Sequence, residues 1–157
     1  MSPLTAATVD TMKTRIVIQK SQYKLLLYEK DKLLRTYPVV LGFDPGPDKR
    51  MEGDGRTPEG TFHVRTKYPH ASWSKFIWVD YPTAESEARF ARRKAAKEIP
   101  ADAGIGGEIG IHGTPSGRDD LIVGKKNWTL GCISLKCRDV DELYGLIRTG
   151  TEIKILH

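Results

Sequence analysis

The segment that decides the fold reads RIVIQKSQYKLLLYEKDKLLRTYPVV over residues 15–40. Apolar and polar residues alternate in three short runs, at 15–18, 24–28 and 33–40, and polar turns separate the runs. Alternation with a period of two is typical of β-strands that bury one face. The segment therefore predicts a β-meander and a mainly β domain.

The rest of the chain adds further strands and two helices to this meander. Alternating runs at 61–66, 76–81 and 151–156 predict strands, and the Gly-, Pro- and Asp-rich stretch 41–60 predicts an irregular loop. Alanines at helical spacing predict a helix over 83–97.

A second helix is predicted to begin at Asp139, with Glu142 three positions on as in a capping box, and to end by Gly150. Its expected buried stripe consists of Val140, Leu143, Tyr144 and Ile147.

Length and composition indicate one globular domain. The chain has 157 residues, of which 39% are hydrophobic and 29% charged, and no apolar run approaches the roughly 20 residues that cross a bilayer. We expect an N-terminal extension over 1–14 and a catalytic domain over 15–157. Residues 1–12 lack the basic and apolar regions of a secretory signal.

The net charge of +5 could favour an anionic partner, although acidic and basic residues are mixed along most of the chain. The one dense basic cluster is expected on an exposed helix face, with a binding patch as the alternative; it comprises Arg89, Arg92, Arg93, Lys94 and Lys97.

A histidine and a cysteine stand in two glycine-framed segments, IGIHGT at 109–114 and TLGCIS at 129–134. A free thiol is mostly protonated near neutral pH and needs a nearby base to become a good nucleophile. His112 could take the proton of Cys132, and backbone N–H groups beside the glycine could hold an oxyanion. We predict that the fold brings the two together, with the polar stretch 118–126 as a loop or lid over the site.

Two other interpretations of these residues stay open. Cys132 could be a structural cysteine beside an unrelated histidine, or it could bind zinc together with His112 and Cys137. The zinc site lacks a fourth ligand at a usual spacing and a C-x-x-C pair. We therefore predict neither a metal nor a cofactor.

Three motifs in a fixed order extend this picture over nearly the whole chain. They are YPVVLG at 37–42, GDGRTPEGTF at 53–62, and IHG at 111–113 followed by GCISL at 131–135. With them the chain resembles the L,D-transpeptidase catalytic domain, also called the YkuD domain. The second motif is similar to the family's Thr-Pro-x-Gly-x-Phe/Tyr element.

The resemblance implies a mainly β, L,D-transpeptidase-like β-sandwich with two short helices that acts on peptidoglycan stem peptides. The bond attacked joins the L-centre of the third stem residue, often diaminopimelate, to D-alanine. An acyl-enzyme forms, D-alanine leaves, and an amine of a second stem accepts the acyl group. Water as acceptor implies an L,D-carboxypeptidase, and a lipoprotein amine implies an anchoring enzyme.

The resemblance also implies a role for each site residue. Cys132 is the nucleophile, His112 the base, and the Gly113 carbonyl the group that orients the imidazole. The candidate substrate and oxyanion contacts are Gly131, Ser134, Thr129 and Trp128. Leu130 stands where the family commonly has histidine, and Ser134 stands where it often has Arg or Asn, which favours a change of acceptor or of preferred reaction.

The expected partners are donor and acceptor peptidoglycan stems and, by the same resemblance, carbapenem-type inhibitors that acylate Cys132. No nucleic-acid partner is predicted, and the implied location is the cell envelope or periplasm. The alternative from another class is a catalytically silent wall-binding module that keeps the fold.

Overall fold

A computed structural model describes residues 3–157, which form eight strands and three α-helices. The strands are β1 (Thr14–Gln19), β2 (Lys24–Glu29), β3 (Lys32–Pro38), β4 (Gly60–His70), β5 (Ser74–Val79), β6 (Gly110–His112), β7 (Ile133–Ser134) and β8 (Glu152–Leu156). The helices are α1 (Ala84–Ala95), α2 (Asp120–Val123) and α3 (Cys137–Tyr144).

All eight strands belong to one curled sheet in the order β3-β2-β1-β8-β4-β5-β6-β7. The predicted meander is confirmed, because β1 pairs antiparallel with β2 and β2 with β3. Ile16 and Ile18 of β1 and Leu25 and Leu27 of β2 are buried at alternate positions. The mainly β fold is therefore confirmed, and the period-two pattern correctly marks the face that forms the core.

The last strand lies inside the sheet, between β1 and β4. β8 runs parallel to β1 and antiparallel to β4, so it joins the meander to the half of the sheet that carries β5, β6 and β7. Ile153 and Ile155 of β8 are buried in the common core. The N-terminal segment also contributes to this core through Val9.

The first helix confirms the predicted element with slightly shorter bounds. The Thr83 hydroxyl accepts a hydrogen bond from the Ser86 N–H at 3.2 Å and so caps α1. Two residues of the basic cluster form ion pairs within the protein: Arg89 and Arg93 both bind the Asp48 carboxylate, at 3.6 and 3.2 Å.

The predicted start of the second helix is wrong. Helix α3 begins at Cys137, whose N–H donates to the Asp119 carboxylate at 3.2 Å, so a residue distant in sequence satisfies the first turn. The expected capping box is absent from this helix, because the Glu142 carboxylate accepts hydrogen bonds from Tyr37 and Arg35. Val140 and Leu143 are buried as predicted, although Ile147 lies beyond the helix end.

Helix α2 was not predicted. It has four residues and lies within the stretch 118–126 that was expected to be a loop. Across residues 3–157, none of the helices combines the length and apolar character that a membrane span requires.

Candidate active site

A cavity of about 1040 Å³ opens beside β5 and β6. Cys132 and His112 both line it, so the fold brings together the two residues that the sequence separates by twenty positions. β6 carries His112, and the turn that precedes β7 carries Cys132. Because β6 and β7 pair in parallel, with His112 opposite Ser134, these two segments are held side by side.

The expected lid does not cover this cavity. None of the residues 118–126 contributes to its walls, whereas two other loops, at 49–53 and 105–109, do. These loops support each other, because the Glu52 N–H donates to the Gly104 carbonyl at 2.8 Å. Lys49 of the first loop forms a buried ion pair with Asp54, which follows the loop, at 2.9 Å.

Aromatic rings form one wall of the cavity. Tyr68 and the imidazole of His70 come from alternate positions of β4, and Phe76 and Trp78 come from alternate positions of β5. The sequence analysis selected none of these four residues and so missed the wall. The available signal was the period of two in two consecutive strands, which places each pair on one face of the hairpin.

The imidazole of His112 is enclosed between aromatic side chains. Its ring stacks on Trp73, with centroids 4.2 Å apart and planes 19° apart, and on Phe76 at 5.7 Å and 13°. Trp128 packs edge-on against it at 5.5 Å. Burial lowers the pKa of His112 to about 4, against a smaller opposing effect of the Gly113 hydrogen bond. The ring is therefore neutral at pH 7.

The Gly113 carbonyl fixes which ring nitrogen of His112 carries the proton. This oxygen lies 2.7 Å from Nδ1, and since a carbonyl only accepts, the proton is assigned to Nδ1 and Nε2 is left as the acceptor. The Ser134 hydroxyl donates to the same carbonyl at 3.3 Å. Ser134 is fully buried and does not line the cavity, so it supports this carbonyl from behind and does not face a substrate.

The close approach of the chain at residue 113 requires glycine. The Gly113 N–H donates to the Trp73 carbonyl at 2.9 Å, and a Cβ at this position would lie 2.5 Å from the same oxygen. A side chain here would therefore push apart the Trp73 ring and the imidazole that stacks on it.

The Cys132 thiol is held in its protonated form. Sγ donates to the Glu108 carbonyl and accepts from the Gly110 N–H, each at 3.4 Å. Burial raises the pKa of this thiol to about 11, and the Glu108 carboxylate contributes in the same direction. The thiol and the imidazole are therefore both neutral at pH 7, and Nε2 of the imidazole is free to accept a proton.

The turn at 129–132 is fixed by Thr129. Its hydroxyl donates to the Cys132 carbonyl at 2.7 Å and accepts from the Gly131 N–H at 3.3 Å. Gly131 has a φ of +153°, and a Cβ there would lie 2.9 Å from the Arg56 carbonyl oxygen. Only glycine fits this conformation and this contact.

Leu130 lies at the tip of this turn, 80% exposed, on the rim of the cavity. Phe43 lines the rim as well and is 55% exposed. Leucine at position 130, where the resemblance leads one to expect histidine, therefore places an apolar side chain at the entrance to the cavity. Trp128, the remaining predicted contact, lines the cavity, and its Nε1 is buried with no hydrogen-bond acceptor among the described residues.

The two cysteines are free and do not share a site. Cys137 Sγ donates to the Thr114 carbonyl at 3.3 Å, whereas Cys132 Sγ faces the Glu108 carbonyl. Among residues 3–157, no three His, Cys, Asp or Glu side chains cluster in a way that would hold a metal ion.

Comparisons with known proteins agree with this fold. The family model of the L,D-transpeptidase catalytic domain, YkuD, matches residues 13–155. A Bacillus licheniformis protein that bears the name L,D-transpeptidase YkuD is 27% identical over 146 residues, which are 93% of this chain and 67% of that protein.

Two solved structures share the architecture at low sequence identity. Bd1075 of Bdellovibrio bacteriovorus has a TM-score of 0.64 and 20% identity, over 92% of this chain and 48% of that one. L,D-transpeptidase 3 of Mycobacterium tuberculosis, solved with a faropenem-derived adduct, has a TM-score of 0.60 and 15% identity, over 92% of this chain and 60% of that one. The chain thus spans between about half and two thirds of the length of these proteins.

Proposed function

The chain belongs to the family of L,D-transpeptidase catalytic domains, and on this premise we propose that it transfers acyl groups between peptidoglycan stem peptides through a thioester on Cys132. The observation that carries the proposal is the shared cavity, which both Cys132 and His112 line, together with the Gly113 carbonyl that leaves Nε2 of His112 free to accept a proton. The cell envelope is the location that this activity requires.

In the proposed first step, Cys132 Sγ attacks the carbonyl carbon of the third stem residue while Nε2 of His112 takes the thiol proton. The carbonyl oxygen gains the electron pair and is held by backbone N–H groups beside Gly131, the Cys132 N–H among them, while the Gly131 N–H itself donates to the Thr129 hydroxyl. When the oxyanion collapses, the C–N bond breaks, and the imidazolium returns its proton to the amine of the departing D-alanine. A thioester on Cys132 remains.

In the second step an acceptor amine attacks the thioester and His112 takes its proton. The C–S bond breaks, the thiolate of Cys132 recovers the proton, and a new amide joins the two stems. Water in place of the amine would release a free carboxylate, which is the carboxypeptidase side activity. A lipoprotein amine would give an anchored protein.

The other candidate residues surround this chemistry. Thr129 fixes the nucleophile turn, Trp128 packs on the imidazole, and Leu130 lies on the rim where an acceptor enters. Ser134 is assigned to the support of the Gly113 carbonyl, because its buried hydroxyl does not reach the cavity. An apolar rim favours acceptors that present methylene groups beside the amine over a bare water molecule.

The test is incubation of the protein with disaccharide tetrapeptide muropeptides, followed by mass spectrometry. A cross-linked dimer with loss of D-alanine is expected for the wild type, and Cys132→Ala should form none. Cys137→Ala is the matched control and should retain the activity. Product formation by Cys132→Ala would overturn the mechanism, and release of D-alanine without a dimer would assign hydrolysis instead.

The same nucleophile should react with β-lactams, because a strained lactam carbonyl presents the same target to the thiol. A carbapenem is expected to add its full mass to the wild type and to Cys137→Ala but not to Cys132→Ala. The faropenem-derived adduct of the Mycobacterium tuberculosis relative supports this expectation. An unmodified protein that nevertheless binds sacculi would favour the silent wall-binding module.

A further inference from the structure

Thr57 is fully buried and does not line the cavity. The proposed chemistry gives this residue no role. It lies in the Thr-Pro-Glu-Gly element, which by composition alone is an ordinary turn. Its hydroxyl donates to the Gly131 carbonyl at 2.8 Å and accepts from the Gly42 N–H at 3.1 Å. The hydroxyl therefore binds directly to the residue that precedes the nucleophile.

The Gly131 carbonyl and the Cys132 N–H are the two ends of one peptide group. A trans peptide is planar, and its C=O and N–H point in opposite directions. Because Thr57 lies in the interior, the hydrogen bond from its hydroxyl turns the carbonyl inward and the Cys132 N–H outward, to the side where Gly131 and Cys132 line the cavity. Loss of this hydrogen bond would free the group to rotate.

The neighbouring peptide groups have their own support. The Thr129 hydroxyl holds the Gly131 N–H on one side and the Cys132 carbonyl on the other. The peptide group between these two atoms is the one that Thr57 holds.

Thr57 is itself anchored from behind by a buried lysine. Lys20 Nζ donates to the Thr57 carbonyl at 2.8 Å and to the Pro47 carbonyl at 2.9 Å, and it forms an ion pair with Glu59 at 3.1 Å. Burial lowers the pKa of Lys20, an effect that Glu59 opposes. The position of the Thr57 hydroxyl is thus set by contacts on both sides of the residue.

We propose that Thr57 is a positioning residue for acyl transfer: its hydroxyl aims the Cys132 N–H at the oxyanion that forms when Cys132 attacks a carbonyl. The inference rests on the proposed function for the identity of the nucleophile. It adds a role for the Thr-Pro-Glu-Gly element, which the motif alone does not assign.

The test compares two reactions at one thiol. Acylation by p-nitrophenyl acetate passes through a tetrahedral oxyanion, whereas alkylation by iodoacetamide is a displacement at carbon that forms none. All proteins carry Cys137→Ala, so that each rate reports Cys132. The variants are Thr57→Val, which removes the hydroxyl at equal volume, Thr57→Ser, which keeps it, and Thr151→Val, which removes another buried hydroxyl remote from the cavity.

Thr57→Val is expected to acylate about 10- to 100-fold more slowly, because the oxyanion donor is misaligned. Its alkylation rate should change by less than about twofold, since removal of a buried hydroxyl leaves the thiol in place. Thr57→Ser should restore acylation, and Thr151→Val should affect neither rate. If circular dichroism shows that Thr57→Val does not fold, Thr57→Ala replaces it with the same expectations.

An unchanged ratio of the two rates in Thr57→Val would overturn the inference. This includes the case in which both rates fall in parallel, because such a fall would show general damage to the site. The ester assay contains no peptidoglycan. A wild type that is inactive on muropeptides, combined with a changed ratio in Thr57→Val, would therefore refute the proposed substrate alone. Muropeptide turnover combined with an unchanged ratio would refute only the role of Thr57.

Discussion

The two cysteines lie five residues apart and yet occupy different chemical surroundings. Both are free and half-buried, and both thiols donate to a backbone carbonyl. Cys132 lies on a tight turn that opens into the cavity, beside the segment that carries a histidine. Cys137 begins helix α3, where its sulfur packs 3.6 Å from the Thr114 hydroxyl and does not line the cavity.

The difference shows that the surroundings, and not the thiol, make the candidate nucleophile. Cys137 fills space beside Gly113, since a Cβ on this glycine would lie 3.0 Å from its sulfur. Cys132 has three further features: access from the cavity, a histidine on the same cavity whose Nδ1 proton is fixed, and a preceding peptide group whose carbonyl accepts from the Thr57 hydroxyl. Each of them can be removed separately.

The largest effect is expected from exchange of the thiols themselves. Cys132→Ala should lose all covalent modification by a carbapenem, because no other thiol faces the cavity. Cys137→Ala should keep the wild-type rate to within about twofold, because Cys137 does not line the cavity and its replacement removes only one half-buried sulfur. Intact-protein mass spectra over time measure both. Modification that persists in Cys132→Ala and disappears in Cys137→Ala would reverse the comparison.

Removal of the base is expected to have the next largest effect. His112→Ala should slow acylation by a carbapenem by about 10²- to 10⁴-fold, because the neutral thiol then has no acceptor for its proton. His63→Ala is the matched control, since His63 is exposed and does not line this cavity. Stopped-flow absorbance at the β-lactam band gives both rates. Equal rates in the two variants would exclude His112 as the base.

The pH dependence of alkylation should reveal the protonated resting thiol. Burial holds the pKa of Cys132 at about 11 and that of His112 at about 4, so neither group is charged at pH 7. The thiolate fraction, and with it the iodoacetamide rate in Cys137→Ala, should rise about tenfold per unit from pH 7 to about 10. A rate that levels off below pH 7 would instead indicate a thiolate–imidazolium pair at rest.

The smallest effect is expected at Ser134. Ser134→Ala removes one of the two hydrogen bonds that the Gly113 carbonyl accepts, and a bond of this kind contributes about 0.5–1.5 kcal/mol, or about 2- to 10-fold in kcat. KM for the donor stem should not change, because the hydroxyl does not reach the cavity. Ser116→Ala, at an exposed position, is the control. A raised KM with unchanged kcat would make Ser134 a direct substrate contact.

The sequence was sufficient for those elements that local patterns determine. Alternation identified β1, β2 and β8, and alanine spacing identified α1. The start of α3 was not predictable, because its first N–H is satisfied by Asp119, a carboxylate 18 residues away. Glu142 looked like a capping residue, but its partners are Tyr37 and Arg35 on a distant strand.

The candidate site shows the same division between local and tertiary information. The glycine-framed segments and the family resemblance identified Cys132, His112 and Gly113 as candidates, whose roles stay predictions. The aromatic wall and the hydroxyl of Thr57 were missed, since their relation to the site exists only after β4, β5 and the 41–60 loop have packed. Ser134 was selected by its place after Cys132, while its burial depends on how β7 pairs.

The position of β8 has a consequence for how the molecule is made. This strand follows the other seven along the chain, yet in the sheet it lies between the meander and the half that carries the cavity. A ribosome must therefore release the chain through β8 before the core can close, and until then β1 and β4 each expose an unpaired edge. The native pairing of β1 with β8 joins residues more than 130 positions apart, so the fold has a high contact order and should form slowly. Translation that stops before β8 would leave two partial sheets with unpaired strand edges, and such edges promote aggregation.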